Sequence, residues 1–292
     1  MNTEPHILST GPQGDDPGKT SQIGEIEWRD LQRADIPRLA SFAPLEWRMA
    51  LDVVLREHFG RSYFRARVAT VASRIVAVGQ SIATGRTGWI GNIIVQADMR
   101  NRGLGSRMTE ELIAVLRGQS CSSVLLVATA MGEPVYKKLG FRRTAAYVFL
   151  EVPRLSSPVT NAIRRVEPAD VDHVMGIDAT VTGETRKELL DSHLASGWVH
   201  VDRDRGIDGF FLPTLGSGLV LANGAPAGLD LLRFKHAHFS RSAVVPAANT
   251  AALQFLVEQG ARETTRAPRM ALGDEADWRP ECVFARATGF CG

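Results

Sequence analysis

The sequence predicts an α/β protein built from two related halves, and three observations carry that expectation. An apolar run at 90–95 passes through a glycine-containing turn into an amphipathic helix at 103–117. Composition is that of a globular chain: 292 residues, 44% hydrophobic and 23% charged, enough for two cores. After residue 160 the order of elements found in the first half begins again.

Residues 1–23, rich in Gly, Pro, Ser and Asp, read as a disordered tail. Ile26-Glu27-Trp28-Arg29 reads as a strand, and Ala34-Asp35-Ile36-Pro37 starts a helix near Arg38. A second helical region covers 46–58. The β-rich runs 65–71 and 74–82 flank Ala72-Ser73 and form a hairpin. Strand 90–95 and helix 103–117 are followed by a buried strand at 124–129 and a short helix at 134–139. A strand at 147–152 closes the sheet, and Leu155-Ser156-Ser157-Pro158 is a linker.

Beyond the linker, 162–166 followed by 167–172 repeats the pattern of 26–29 followed by 33–36. A helix at 186–195, a hairpin of 198–202 with 207–212, and a strand at 218–222 come next. A helix at 228–236, a strand at 243–245 and a helix at 249–259 complete the repeat. The expected domains are 24–153 and 160–292.

A formal charge of +2 is too small to point to nucleic acid. Cys121, Cys282 and Cys291 are too few and too scattered for a disulfide framework or a structural zinc site. His193, His200, His236 and His238 have no metal-ligand spacing, so no metal is expected. No basic, apolar leader opens the chain, and no run reaches the roughly 18 apolar residues of a membrane span. A cytoplasmic protein without a membrane partner is the expectation.

Chemistry concentrates at 90–116. Leu104, Met108, Leu112 and Val115 recur at helical spacing, so one face of that helix is buried. Gly103 and Gly105 remove side chains at its start, where free N–H groups and the helix dipole favour a phosphate or diphosphate. Arg100 and Arg102 add charge-assisted donors.

The strand with Arg100-x-x-Gly103-x-Gly105, followed by Pro134-Val135-Tyr136-Lys137-Lys138-Leu139-Gly140-Phe141, resembles the GCN5-related N-acetyltransferase (GNAT) family. The resemblance implies mixed-sheet acyltransferase domains, with acetyl-CoA as donor and a primary amine of a small molecule as acceptor. It implies that Arg100, Arg102, Gly103, Leu104, Gly105 and Ser106 hold the coenzyme diphosphate. Strand 90–95 would splay from 124–129 to admit the pantetheine arm, and an amide near Ile94 or Val95 would hold the thioester oxygen. Tyr136 matches the family tyrosine that protonates the departing thiolate; the alternative is a ring packed against Leu139 and Phe141.

The second half resembles a decayed copy. Asn223-Gly224-Ala225-Pro226 lacks the Arg-x-x-Gly-x-Gly pattern, and Leu256 stands where Tyr136 stands in the first half. One coenzyme per chain is therefore expected. A fused copy can cover the cleft or replace a partner subunit, so a monomer or a homodimer is expected.

Many relatives place a glutamate near the strand before the glycine motif, whereas this chain offers Gly88, Trp89 and Asn92. Asn92 can hold the acceptor or a water but is no strong base. Glu46 could act through water or be an exposed helix residue. Asp178 and Arg186 could contact the acceptor's amine and carboxylate, or pair with each other and fasten the second half. Two rival functions follow: a non-catalytic acyl-CoA-binding module, which the missing glutamate favours, and a protein acetyltransferase, which a covering second half would hinder.

Overall fold

The computed structural model describes residues 25–47, 49–156, 161–204 and 206–291. The expected tail at 1–23 and Ser157-Pro158 of the linker lie outside the described residues.

The first half runs β1 (Ile26–Asp30), α1 (Leu51–His58), β2 (Phe64–Val71), β3 (Arg74–Thr84), β4 (Thr87–Val95), α2 (Leu104–Gly118), β5 (Ser123–Val127), α3 (Glu133–Lys138) and β6 (Arg142–Glu151). The second runs β7 (Ile163–Arg165), α4 (Val171–Thr182), α5 (Lys187–Leu194), β8 (Trp198–Asp202), β9 (Gly206–Leu212), β10 (Leu219–Ala222), α6 (Ala225–His238), β11 (Ser242–Pro246), α7 (Thr250–Glu258), β12 (Arg262–Gly273) and β13 (Val283–Ala285).

The hairpin of β2 and β3 turns at Ala72 and Ser73, both with positive φ. In α2 every fourth residue from Leu104 to Leu116 is buried, so Leu116 rather than Val115 ends the core stripe. The helix expected near Arg38 is a 3-10 turn, Arg33–Leu39, containing Pro37, which has no N–H to continue a ladder.

The repeat read from the sequence has a physical basis. Arg29 makes a two-pronged bond to Asp35 at 2.6 and 2.9 Å, and the Gln32 N–H donates to the same carboxylate. Arg164 does the same to Asp170 at 2.5 and 2.9 Å, with the Glu167 N–H as the backbone donor. The same clamp thus turns the chain after the first strand of each half.

Two mixed α/β layers result. The larger sheet has the order β1-β2-β3-β4-β5-β12-β6-β11, and the smaller β13-β10-β9-β8-β7. Among the described residues only β4 and β5 run parallel; the other neighbours are antiparallel. The expected closure of the first sheet by 147–152 gives way to an exchange. β12, from the second half, lies between β5 and β6, and β6 in turn pairs with β11 of the second half. Each half lends its last long strand to the other, around the β6–β12 pair. Met270 of β12 completes the core between the sheet and α2, alongside Leu104, Met108, Val124 and Leu126.

Candidate active site

β4 and β5 are paired only where 87–89 face 123–125. Beyond Trp89 and Leu125 the strands part, which opens a cleft along the rest of β4. A bulge explains the departure of β4. Gln80 pairs with Gly91 and Val78 with Ile94, so Asn92 and Ile93 together oppose a single residue of β3. Asn92 absorbs the irregularity with φ +51°, a left-handed conformation that asparagine tolerates.

After the bulge the strand regains alternation. The Gln96 N–H donates to Val76 of β3 at 2.9 Å, so Val95, one residue earlier, turns its N–H and carbonyl to the cleft side. Of the two candidate amides, Ile94 and Val95, the pairing puts Val95 on the open side. Its carbonyl accepts a bond from Arg100 Nε at 3.1 Å, which ties the following turn back onto the strand.

That turn delivers the start of α2 to the cleft. Gly103 adopts φ +78°, and a Cβ there would meet nothing, so backbone conformation rather than space calls for glycine. The helix ladder begins with Arg107 N–H to Gly103 C=O at 3.0 Å. The N–H groups of Leu104, Gly105 and Ser106 therefore precede the ladder and point outward from the helix end. Arg100 and Arg102 are exposed beside them. A diphosphate fits such a set of donors and charges.

Tyr136 stands on α3, past the other arm of the cleft. Its ring meets Phe141 edge-on at 5.9 Å and passes under Gly132, where a Cβ would lie 2.8 Å from the ring. Tyr136, Ile93 and Val95 pack against one apolar cluster, so the tyrosine and the bulged strand share the same walls. Burial pushes the phenol up to about 12, so it keeps its proton throughout the neutral range. Glu133, held well below the usual carboxylate range by Arg143 and Lys137, to about 2, fixes α3 in place.

The second half reaches this region through Glu184. Its carboxylate accepts from Trp89 Nε1 at 3.0 Å and from Thr84 Oγ1 at 2.6 Å. Arg286 lies over Trp89 and Tyr147, with its guanidinium carbon 4.7 and 4.6 Å from the two rings. Past β13 the turn at 288–291 brings Phe290 against Gly91 on β4, so close that a Cβ there would lie 2.4 Å from it. Within residues 274–291, which the sequence left without a role, Phe290 thus packs on the strand that carries the bulge. Nothing local in the sequence announces this; only the small residue at 91 hints that something approaches.

Asp178 and Arg186 come together, but with each other. The Arg186 Nε donates to Asp178 Oδ2 at 3.1 Å, a second bond joins Nη2 to Oδ1, and both side chains are buried. This geometry is that of the fastening pair, not of two groups turned to an acceptor. Glu46 lies in the 3-10 turn Leu45–Trp47 that precedes α1. Among the expected histidines, His200 is engaged by Asp208 at 2.6 Å and His236 by the Ser240 carbonyl at 2.7 Å.

Comparison with known proteins agrees with this geometry. The profile of the acetyltransferase (GNAT) family matches residues 23–141. Glucosamine 6-phosphate N-acetyltransferase 1 of Oryza sativa subsp. japonica is 30% identical over 132 residues, 39% of this chain and 79% of that protein. A Pyrococcus horikoshii structure assigned as an acetyltransferase superposes with a TM-score of 0.80 at 18% identity, over 96% of this chain and 99% of the other. A GCN5-related N-acetyltransferase from Sphaerobacter thermophilus gives 0.62 at 16% identity, over 91% and 98%. These two likenesses extend the shared fold over both halves.

Proposed function

Since the chain belongs to the GNAT acetyltransferase family, we propose that it transfers an acetyl group from acetyl-CoA to a primary amine of a small molecule. The reading rests above all on one observation: β4 parts from β5 after Trp89, and its free end leads through a turn to a left-handed glycine, Gly103, that opens α2. The rice relative's name gives an amino-sugar phosphate as its acceptor, which supports a small amine rather than a protein surface.

Bound acetyl-CoA supplies a thioester whose carbonyl carbon accepts the amine. The N–H groups of Leu104, Gly105 and Ser106, with Arg100 and Arg102, hold the diphosphate and so fix the depth of the arm. The Val95 N–H donates to the thioester oxygen and stabilises the negative charge that grows there. Tyr136 Oη would give its proton to the sulfur as charge leaves on it, and the proton that the nitrogen loses on forming the amide would return through water to the phenol, so that the step closes. The apolar walls that raise the phenol also disfavour a bare thiolate, so the proton moves as the bond breaks. Asn92 has no proton-accepting group at neutral pH, and it serves to hold the amine or a water. The exchange of strands that would otherwise call for a second subunit is completed within one chain, which supports a monomer.

The test is release of free coenzyme A over a panel of small amines and peptides. Transfer to small amines and not to peptides is the expected result. Coenzyme binding without release for any amine would leave a binding module instead.

A further inference from the structure

Gln80 is wholly buried, and among the described residues neither its Oε1 nor its Nε2 has a hydrogen-bond partner. Buried amides are normally satisfied, because an orphaned donor or acceptor forfeits its bonds to water. An unsatisfied one therefore calls for a reason. Asn92, the bulge residue, likewise has a buried Nδ2 without a partner among the described residues.

The register says where Gln80 points. It sits opposite Gly91, so the two share a face of the sheet. A Cβ on Gly91 would meet Phe290, whereas Cβ atoms on Gly79 and Gly88 would meet Met108 and Leu116 of α2. Gln80 thus projects from the face away from α2, one residue from the bulge and beside the length of β4 that has left β5. Its strand neighbours there are Ala66 and Ile82, which offer no hydrogen bond, and His58 and Tyr63 on the same side are bonded to each other at 3.2 Å.

A primary carboxamide presents one acceptor and one donor side by side, and does so whichever way its O and N are assigned. A neutral amine with a hydroxyl on the adjacent carbon presents the complement: an N–H to give and an oxygen to receive. We propose that Gln80 is the residue that positions the acceptor, and that the acceptor is a vicinal amino alcohol. Oε1 takes one N–H of the amine, which leaves the nitrogen lone pair free for the thioester. Nε2 donates to the neighbouring hydroxyl oxygen, with Asn92 Nδ2 as a second donor. This assignment rests on the acetyltransferase reading above.

Gln80→Met keeps the volume and removes both hydrogen-bonding groups. The comparison uses 2-aminoethanol and glucosamine as amino alcohols, and propylamine as the amine of equal size without the hydroxyl. In the unaltered protein KM is lower for the amino alcohols. In the variant their KM rises roughly tenfold, KM for propylamine, which loses only the contact to Oε1, rises by clearly less, and the Kd of coenzyme A stays within about twofold. The melting temperature is unchanged or higher, because an unsatisfied buried amide has gone. A lower melting temperature would show that Gln80 has a structural partner and would overturn the proposal without reference to turnover. Equal losses for all three amines, or no change in any, would overturn it as well. Absence of transfer by the unaltered protein to every amine would instead sink the acetyltransferase reading, and this assignment with it.

Discussion

The molecule contains the same cleft twice, and only one is open. In the first half β4 leaves β5, and among the described residues no strand pairs between their free lengths. In the second half the equivalent strands, β10 and β11, belong to different sheets, and β13 lies between them. It pairs with β10 along one side. Toward β11 the Arg286 N–H just after it donates to Val244 at 2.8 Å, and Asn249 Nδ2 donates to Val283 at 3.0 Å. Phe284 presses under α6 at Gly228, where a Cβ would lie 2.2 Å from its ring. Where the first half has two strands that part, the second half has a strand between them. Loss of the glycine motif and of the tyrosine, replaced by Leu256, is the local sign of that difference; the intervening strand is its physical content.

The largest effect that would break the comparison comes from separating the halves. Residues 25–155 alone lack β12, which lies between β5 and β6, and β11, which flanks β6 on its other side. Such a fragment should show no cooperative thermal transition and no acetyl transfer. Calorimetry and the coenzyme-release assay check this, and full activity in the fragment would mean that the exchange is dispensable.

Tyr136→Phe should lower kcat by about 100-fold or more while leaving the coenzyme Kd nearly constant, as expected for loss of a general acid. Leu256→Tyr restores the hydroxyl in the filled copy and should change neither rate nor the binding ratio of one coenzyme per chain, read by calorimetric titration.

The two glycines separate conformation from space. Gly103→Val forces a β-branched residue into φ +78° in an open site, and should weaken coenzyme binding about tenfold while backbone strain costs about 1–2 kcal/mol of stability. Gly228→Ala keeps an ordinary helix conformation but drives a methyl into Phe284. Equilibrium denaturation should show a loss of about 1–3 kcal/mol, with coenzyme affinity unchanged.

A separate effect is one of pH. Lys235 on α6 is buried and donates to the Ser217 and Ser242 carbonyls at 2.7 and 2.9 Å. Burial lowers its pKa from 10.5 to about 7. Between those values the unfolded chain holds the proton more tightly than the folded one, so stability rises with pH across the window. The slope is at most about 1.4 kcal/mol per pH unit. Melting curves from pH 7 to 10 should show this rise, and Lys235→Met should flatten it.

Much of this was legible in the sequence, and the division is instructive. Local signals found the hairpin at Ala72-Ser73, the helix after Gly103, the short helix of Tyr136 and the repeated start at 162–172, because each depends on residues near in sequence. The partner of a strand does not. The stretch that forms β12, polar at 262–266 and apolar only around Met270-Ala271-Leu272, says nothing about lying between β5 and β6, and three residues of β13 give no periodicity at all. Asp178 and Arg186 were legible as a charged pair, but not whether they faced a ligand or each other. Gln80 looks like any polar residue in a strand until the register places it opposite Gly91, on the buried face beside the bulge.

The exchange around β6 and β12 also sets an order of events during synthesis. β5 leaves the ribosome with its edge bare and waits on the order of ten seconds for the residues that will cover it. Until then the coenzyme cleft has one wall without its neighbour, and Met270 is missing from the core beneath. A bare edge accepts any matching strand. In a crowded polysome, β12 of one chain can therefore complete the sheet of another, giving interlocked pairs held by native contacts. The tether between the halves opposes this by keeping the correct strand at high local concentration, so its length bears on how often two chains become entangled.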